Sequence, residues 1–261
     1  MKTLEKRKRK LNEVALERKV KDMYKKVALH PKVSYHFEMG RELATRLGYP
    51  SEMLDQIPPA STDSFAGVGY YFDFARLQKG EFVLDLGSGS GMDAFYAALE
   101  VGKTGEVIGI DMTEEQLKKS SILRDKGNFD QVIFRNSYIE QVPIRTNSID
   151  VVISNGVINL SNQKERVFKE VARVLKSGGR MVLSDIVSSV ILPESISCNA
   201  SLWAACIGGA SQVDQYKEMI EMAGLRIVDT KENPYAFISN SAKGATADYG
   251  IKSISILAIK K

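Results

Sequence analysis

The sequence predicts an α/β protein, a doubly wound, mainly parallel seven-stranded sheet preceded by an N-terminal helical cap. Three observations predict it. From residue 80 onward, short apolar runs alternate with amphipathic stretches, the pattern of a parallel sheet with helical crossovers. The first of those runs leads straight into a glycine-rich turn. Residues 1–79 carry only helical periodicity and loops. The chain therefore divides into a basic helix and cap over 1–79 and a sheet domain over 80–261, with 191–210 as a lid or wall insertion.

In the cap, Leu11, Val14 and Leu16 begin an apolar stripe that Val20, Met23 and Val27 extend at near-helical spacing, with Pro31 closing the helix. A second helix is expected over Glu38 to Leu47, stopped by Gly48. Pro58-Pro59 and the polar cluster after it mark a loop. The strand runs are Phe82 to Leu86, Val107 to Ile110, Val132 to Phe134, Ile149 to Ile153, Met181 to Leu183, Leu225 to Val228 and Ile254 to Ile259. Several are nearly all apolar, as strands buried on both faces are. Thr113 to Gln116 reads as a capping box and Ser211 to Asp214 as a second helix start, with Gly224 at that helix's end. The segment Ile191 to Ala210, which holds the single Trp203, both cysteines and a Gly-Gly pair, breaks the rhythm.

Composition narrows the classes. The 261 residues, 44% of them hydrophobic, suffice for one large domain or a domain plus a cap. No apolar run reaches transmembrane length, and the N-terminus lacks a signal-peptide core, so a cytoplasmic protein is expected. Cys198 and Cys206 are too few for a disulfide framework, and His30 and His36 supply a zinc site poorly. Residues 1–26 hold eleven Lys or Arg against four Asp or Glu, about +7. With a net charge of +4, the remainder carries about −3. The basic leader reads as a solvated helical face or as a contact for an acidic partner or surface. No aromatic residue interleaves Lys6 to Lys10, which counts against single-stranded nucleic acid.

The strongest chemical signal is Val83-Leu84-Asp85-Leu86-Gly87-Ser88-Gly89-Ser90-Gly91. A strand ends in an acid, three glycines alternate, and a helix starts near Met92. Glycines let a backbone turn sharply and a ligand approach without a Cβ clash. The free N–H groups of the following helix suit a carboxylate or phosphate. The spacing is not G-x-G-x-x-G, because Met92 takes the sixth place. A second strand then ends in Asp111, about twenty residues past the last glycine, where a carboxylate can accept both hydroxyls of a ribose. Met112 follows and can pack on an adenine face.

These residues resemble the motifs of class I S-adenosylmethionine-dependent methyltransferases over roughly residues 60–230. The resemblance implies S-adenosyl-L-methionine as cofactor on a Rossmann-like domain. It places the methionine part at Asp85, Gly87, Ser88, Gly89 and Gly91, and the ribose at Asp111. Adenine would lie by Met112, Ser137, Tyr138 and Ile139, and the sulfonium by Asn155 and Val157. Val174-Leu175-Lys176-Ser177-Gly178-Gly179 is similar to the family's turn before the fifth strand, with Ser177 in place of the usual proline. An antiparallel hairpin of the last two runs should end the sheet.

The resemblance is nearest to the arsenite methyltransferases, through Gly109 to Thr113, Ile153 to Asn155, Val157 to Ser161 and Cys206 to Ala210. That subgroup holds As(III) with three cysteine thiolates, soft ligands for a soft acceptor. Cys206 stands at one such place, but Val68 and Gly156 stand at the other two. The residues thus point to methyl transfer to a different small-molecule acceptor, with arsenite as the alternative and a non-catalytic cofactor-binding module as the next. A base is needed only if the acceptor loses a proton, and Tyr70, Tyr71, His36 and Asn155 are the candidates. A nicotinamide dehydrogenase is disfavoured by the glycine spacing and the want of an evident catalytic pair. A nucleic-acid methyltransferase is disfavoured because Ser154-Asn155-Gly156-Val157 replaces an N-P-P-Y-type tetrad.

Overall fold

The computed structural model describes residues 13–197, 202–203 and 207–261. The strands are β1 (Phe82–Leu86), β2 (Glu106–Asp111), β3 (Val132–Asn136), β4 (Ile149–Asn155), β5 (Leu175–Ser188), β6 (Ser211–Gln212), β7 (Leu225–Glu232) and β8 (Lys252–Lys260). The longer helices are α1 (Glu13–Leu29), α2 (Gly40–Leu47), α3 (Met92–Val101), α4 (Glu114–Gly127), α5 (Lys164–Val174), α6 (Val213–Met222) and α7 (Asn240–Tyr249). The strand order is β3-β2-β1-β4-β5-β8-β7, with β6 beside β5. Only β8 runs against its neighbours β5 and β7, so the expected terminal hairpin forms. The order reverses between β1 and β4, and their carboxyl ends open the crevice where ligands bind such sheets.

The nearly all-apolar runs have the expected cause. Val83, Val107, Val151 and Val182 face one buried cluster, and their successors Leu84, Ile108, Val152 and Leu183 face the other. Each such side chain contributes about 1.5–3 kcal/mol when fully buried, which makes the crevice a rigid feature. The first cluster also takes in Leu43, Tyr49, Phe65 and Tyr71. One core thus crosses the boundary expected at residues 79 and 80.

Several local expectations are corrected. The seven expected strands form the continuous order, and among the described residues a two-residue β6, too short to leave a periodic trace, adds an eighth beside β5. In α1 the buried stripe is Leu16, Val20 and Val27, at helical spacing, and Val14 falls off it at 78% exposed. The second helix starts at Gly40, whose φ of +85° breaks it from Glu38. Thr113 forms no side-chain cap, and Asp111 Oδ1 accepts from its N–H instead at 2.8 Å. For α6 the cap is Gln212, whose side chain accepts from the N–H groups of Asp214 and Gln215. Lys176 to Gly179 bulges from β5, with Gly178 at φ +76°. Residues 1–12, with the cluster Lys6 to Lys10, lie outside the described residues, as do Cys198 and Cys206. Among the described residues no helix is long and apolar enough to cross a membrane.

Candidate active site

The glycine loop is held by its neighbours rather than by itself. Ser88 N–H donates to Ile110 O at 2.9 Å and Gly89 N–H to Asp111 Oδ2 at 3.0 Å, so the loop hangs on the end of β2. Gly87, Gly89 and Gly91 all have positive φ, but they answer to different constraints. A Cβ on Gly87 would fall 2.5 Å from Val157, and one on Gly91 would fall 2.7 Å from Phe134. A Cβ on Gly89 would make only an ordinary contact, 3.8 Å from Gln116 Oε1, so no side chain crowds this glycine. Gln116 is missing from the capping box because it is used here. It accepts from Ser90 Oγ at 2.6 Å and donates to Tyr24 O at 2.9 Å.

A cavity of about 380 Å³ opens over this loop. Of the residues expected at the cofactor, Asp85, Gly87, Ser88, Gly89, Asp111, Met112, Ser137, Tyr138, Ile139, Asn155 and Val157 line it. Gly91 does not. It caps the start of α3, facing Phe134 and Phe95. Four side chains of α1, Leu16, Glu17, Val20 and Tyr24, form the opposite wall. Met112 packs between that wall and the sheet, beside Leu16, Val20 and Trp203.

Two buried carboxylates, Asp85 and Asp93, and the half-buried Asp111 line the cavity. Burial, and then the charges of Asp93 and Asp111, push Asp85 well above the usual carboxylate range. Its Oδ2 and the hydroxyl of Ser88 are buried without a hydrogen-bond partner among the described residues. Burial also raises Asp111, against hydrogen bonds from Thr113 and Gly89. Burial raises Asp93, against donors from Tyr49, Asn155 and Tyr71. Burial thus outweighs the donors that the chain itself supplies to Asp93 and Asp111, and Arg166 also lines the cavity.

Asp93 and Tyr49 escaped sequence reasoning. Tyr49 donates to Asp93 Oδ1 at 2.7 Å and Tyr71 donates to Oδ2 at 2.8 Å. Asn155 Nδ2 donates to the same Oδ2 at 3.0 Å and to Gly69 O at 3.0 Å, while its Oδ1 accepts from Val68 N–H at 2.7 Å. An acid directly after a glycine loop was the one available signal for Asp93. Its tyrosine partners are 44 and 22 residues away. Tyr71 is thus a buried donor to Asp93 and does not reach the cavity. Tyr70 pairs its hydroxyl with Tyr96 at 3.2 Å, and His36 packs edge-on against Phe37, both away from the cavity walls. Of the four candidates for a base, only Asn155 lines the cavity, and its amide is committed to this network.

The loop before the sheet domain is pinned over the end of β4. Val68 O accepts from Ser253 Oγ at 2.6 Å, and a Cβ on Gly69 would meet Asn233 at 2.3 Å. The Val68 side chain is buried with Ile186, Leu192, Ile207 and Ala210. A Cβ on Gly156 would sit 3.3 Å from Val68 Cγ1, so two positions far apart in sequence face each other across an apolar contact. Trp203 is buried against Leu16 and Val20, a packing role.

Comparison with known proteins agrees with this geometry. A family model described as a methyltransferase domain matches residues 77–224. The arsenite methyltransferase of Halobacterium salinarum is 40% identical over 197 residues, which cover 75% of this chain and 50% of that protein. The chain spans about half the length of the curated relatives it matches. The crystal structure of an arsenic(III) S-adenosylmethionine methyltransferase from Chlamydomonas reinhardtii superposes with a TM-score of 0.62 at 29% identity, covering 86% of this chain and 75% of that one. A geranyl diphosphate C-methyltransferase from Streptomyces coelicolor shares the fold, with a TM-score of 0.67 at 14% identity and coverage of 94% and 98%. Sheet order, glycine loop and sequence similarity lead to one conclusion: the chain belongs to the methyltransferase domain family, as a class I S-adenosylmethionine-dependent member related to the arsenite methyltransferases.

Proposed function

We propose that this chain binds S-adenosyl-L-methionine in the cavity and transfers its methyl group to a small-molecule acceptor. The observation that carries the reading is the unpartnered, buried Asp85 Oδ2 beside the glycine loop, with Asp111 on the same cavity. The residues fit the cofactor. Its ammonium and sulfonium are cations for a pocket of carboxylates, and its ribose hydroxyls are donors for Asp111. The loop Gly87 to Gly89 and the N-terminus of α3 would hold the methionine part, and Met112 and Ser137 to Ile139 the adenine. When bound, the cofactor supplies an already activated methyl group. The chain's own contribution is then orientation, since holding reactants in line accounts for a large share of such accelerations. Asn155 supports this by fixing the loop at Val68 and Gly69 over the reacting end.

For the acceptor, two readings stand. Similarity to the arsenite methyltransferases favours trivalent arsenic. The side chains at 68 and 156 favour another small molecule, because valine and glycine offer arsenic no sulfur. Calorimetric titration with S-adenosylmethionine and, separately, NADH tests the cofactor, and binding of the first alone is expected. Methyl transfer from labelled cofactor to arsenite in the presence of thiol then separates the acceptors. Cofactor binding with no transfer to arsenite or to any compound of a small-molecule screen would support a non-catalytic module.

A further inference from the structure

Val68 and Gly69 belong to no helix or strand, yet all four of their backbone polar groups are satisfied, and by only two side chains. Asn155 Oδ1 accepts from Val68 N–H at 2.7 Å and from Gly69 N–H at 3.3 Å, and Asn155 Nδ2 donates to Gly69 O at 3.0 Å. The fourth group, Val68 O, accepts from Ser253 Oγ at 2.6 Å. Ser253 is itself one end of a buried polar chain. Asn233 Nδ2 donates to Ser253 Oγ at 2.9 Å, Ser255 Oγ donates to Asn233 Oδ1 at 2.9 Å, and the hydroxyls of Ser255 and Ser184 share a bond of 2.7 Å. Asn155, Ser184 and Ser255 stand in register across β4, β5 and β8, and Ser253 lies two residues away along β8 on the same face. The chain fits so closely under the loop that a Cβ on Gly69 would collide with the Asn233 amide and the Ser184 hydroxyl.

This polar face is out of place. Ile254 and Ile256 put the other face of β8 into the apolar core, while Ser184, Ser253 and Ser255 are no more than 2% exposed. A strand buried on both faces is ordinarily apolar on both. Burying hydroxyls and an amide costs desolvation that their hydrogen bonds roughly offset, so such a network contributes a defined arrangement more than net stability. What it arranges is the segment 65–69. Phe65, Ala66 and Gly67 line the cavity, and Val68 and Gly69, which do not, carry the clamp. Gly67 closes on Asn155, where a Cβ would meet the amide nitrogen at 2.6 Å, at the end of the cavity expected to hold the sulfonium. We infer that Ser253 and Asn233 are positioning residues for methyl transfer. Together with Asn155 they fix the height of the 65–69 wall over the sulfonium, and so the opening through which an acceptor meets the methyl group. The inference rests on the cofactor reading above. Neither residue lines the cavity, so each acts through Val68, and a misplacement of about 1 Å at a reacting end is enough to lower rate steeply.

Two readouts that need no acceptor test the inference: the carbon NMR resonance of an isotopically labelled methyl group in bound S-adenosylmethionine, and calorimetric affinities for S-adenosylmethionine and S-adenosylhomocysteine. Ser253→Ala should move the resonance toward its position in free cofactor. It should lower the affinity for S-adenosylmethionine about three- to tenfold, the order of one lost hydrogen bond, and leave that for S-adenosylhomocysteine, which lacks the methyl group, within about twofold. Asn233→Ala should act in the same direction and more weakly. Ser253→Thr keeps the hydroxyl and should keep the wild-type resonance. Ser120→Ala removes an equally buried hydroxyl, bonded to Leu117 O within α4, and should leave the resonance and both affinities as they are. Folded Ser253→Ala and Asn233→Ala proteins with the wild-type resonance and an unchanged ratio of affinities would reduce the chain to core packing and overturn the inference, as would an equal effect from Ser120→Ala. If Ser253→Ala does not fold, Asn233→Ala decides alone. A wild-type protein that binds neither ligand would instead remove the cofactor reading itself, and this inference with it.

Discussion

The carboxamide of Asn155 donates to Asp93 Oδ2 at 3.0 Å, tying the end of β4 to the first turn of α3 across the cavity. Through the same amide, Asn155 holds Val68 N–H and Gly69 O. Asn155→Ala leaves the Val68 N–H without its acceptor and takes one donor from a buried carboxylate. Such losses cost about 2–4 kcal/mol. Urea unfolding should show the drop, and a change within 0.5 kcal/mol, as an order of magnitude for a surface site, would mean that the network is not formed.

Asp111 has two structural debts, to Gly89 N–H and Thr113 N–H, besides its place on the cavity. Asp111→Ala should weaken S-adenosylmethionine binding by about 10- to 100-fold, the range expected for hydrogen bonds to a charged group. Circular dichroism should still show a folded protein. Calorimetry that returns the wild-type affinity would contradict the ribose contact.

Two glycines of one loop should fail differently. Gly91 has φ +93° and a phenylalanine ring in the path of any Cβ, so Gly91→Ala should cost about 3 kcal/mol of stability or more. Gly89 has φ +52° and a Cβ there would meet only an ordinary contact at 3.8 Å, so Gly89→Ala should cost about 1–2 kcal/mol while lowering cofactor affinity more steeply. Thermal unfolding and calorimetry of both variants would separate support from ligand clearance.

Lys164, at the start of α5, is buried, donates to Ser161 O at 2.7 Å and lies 4.9 Å over the Trp203 ring. Burial lowers its pKa to about 8, against the pull of Asp185 and Glu140. An unfolded lysine keeps its proton to about 10.4. Between these values the unfolded chain binds more protons, so this group's contribution to stability rises with pH. From pH 7 to 9.5 the gain is about 2 kcal/mol. Lys164→Met should abolish that increment, read as the difference in urea unfolding between the two pH values, and an unaltered pH dependence would show that the lysine titrates normally.

The sequence by itself determined the alternating strands, the glycine loop and Asp111, because these are local. Strand burial writes itself as apolar runs of period one or two, and a glycine turn needs only its own residues. The likeness to arsenite methyltransferases, and the valine and glycine where that subgroup has cysteines, were equally legible. Tertiary structure alone decided which side chains serve which neighbour. Thr113 and Gln116 have capping-box spacing, but Gln116 gains more from Ser90 and Tyr24 than from its own helix end. Tyr71 and Asn155 stood among the candidates for a base and are spent on Asp93. The closing of the cavity by α1 joins residues more than 90 positions apart, such as Tyr24 with Gln116. No periodicity encodes such a pairing, because it depends on where two separately formed elements come to rest on a shared core.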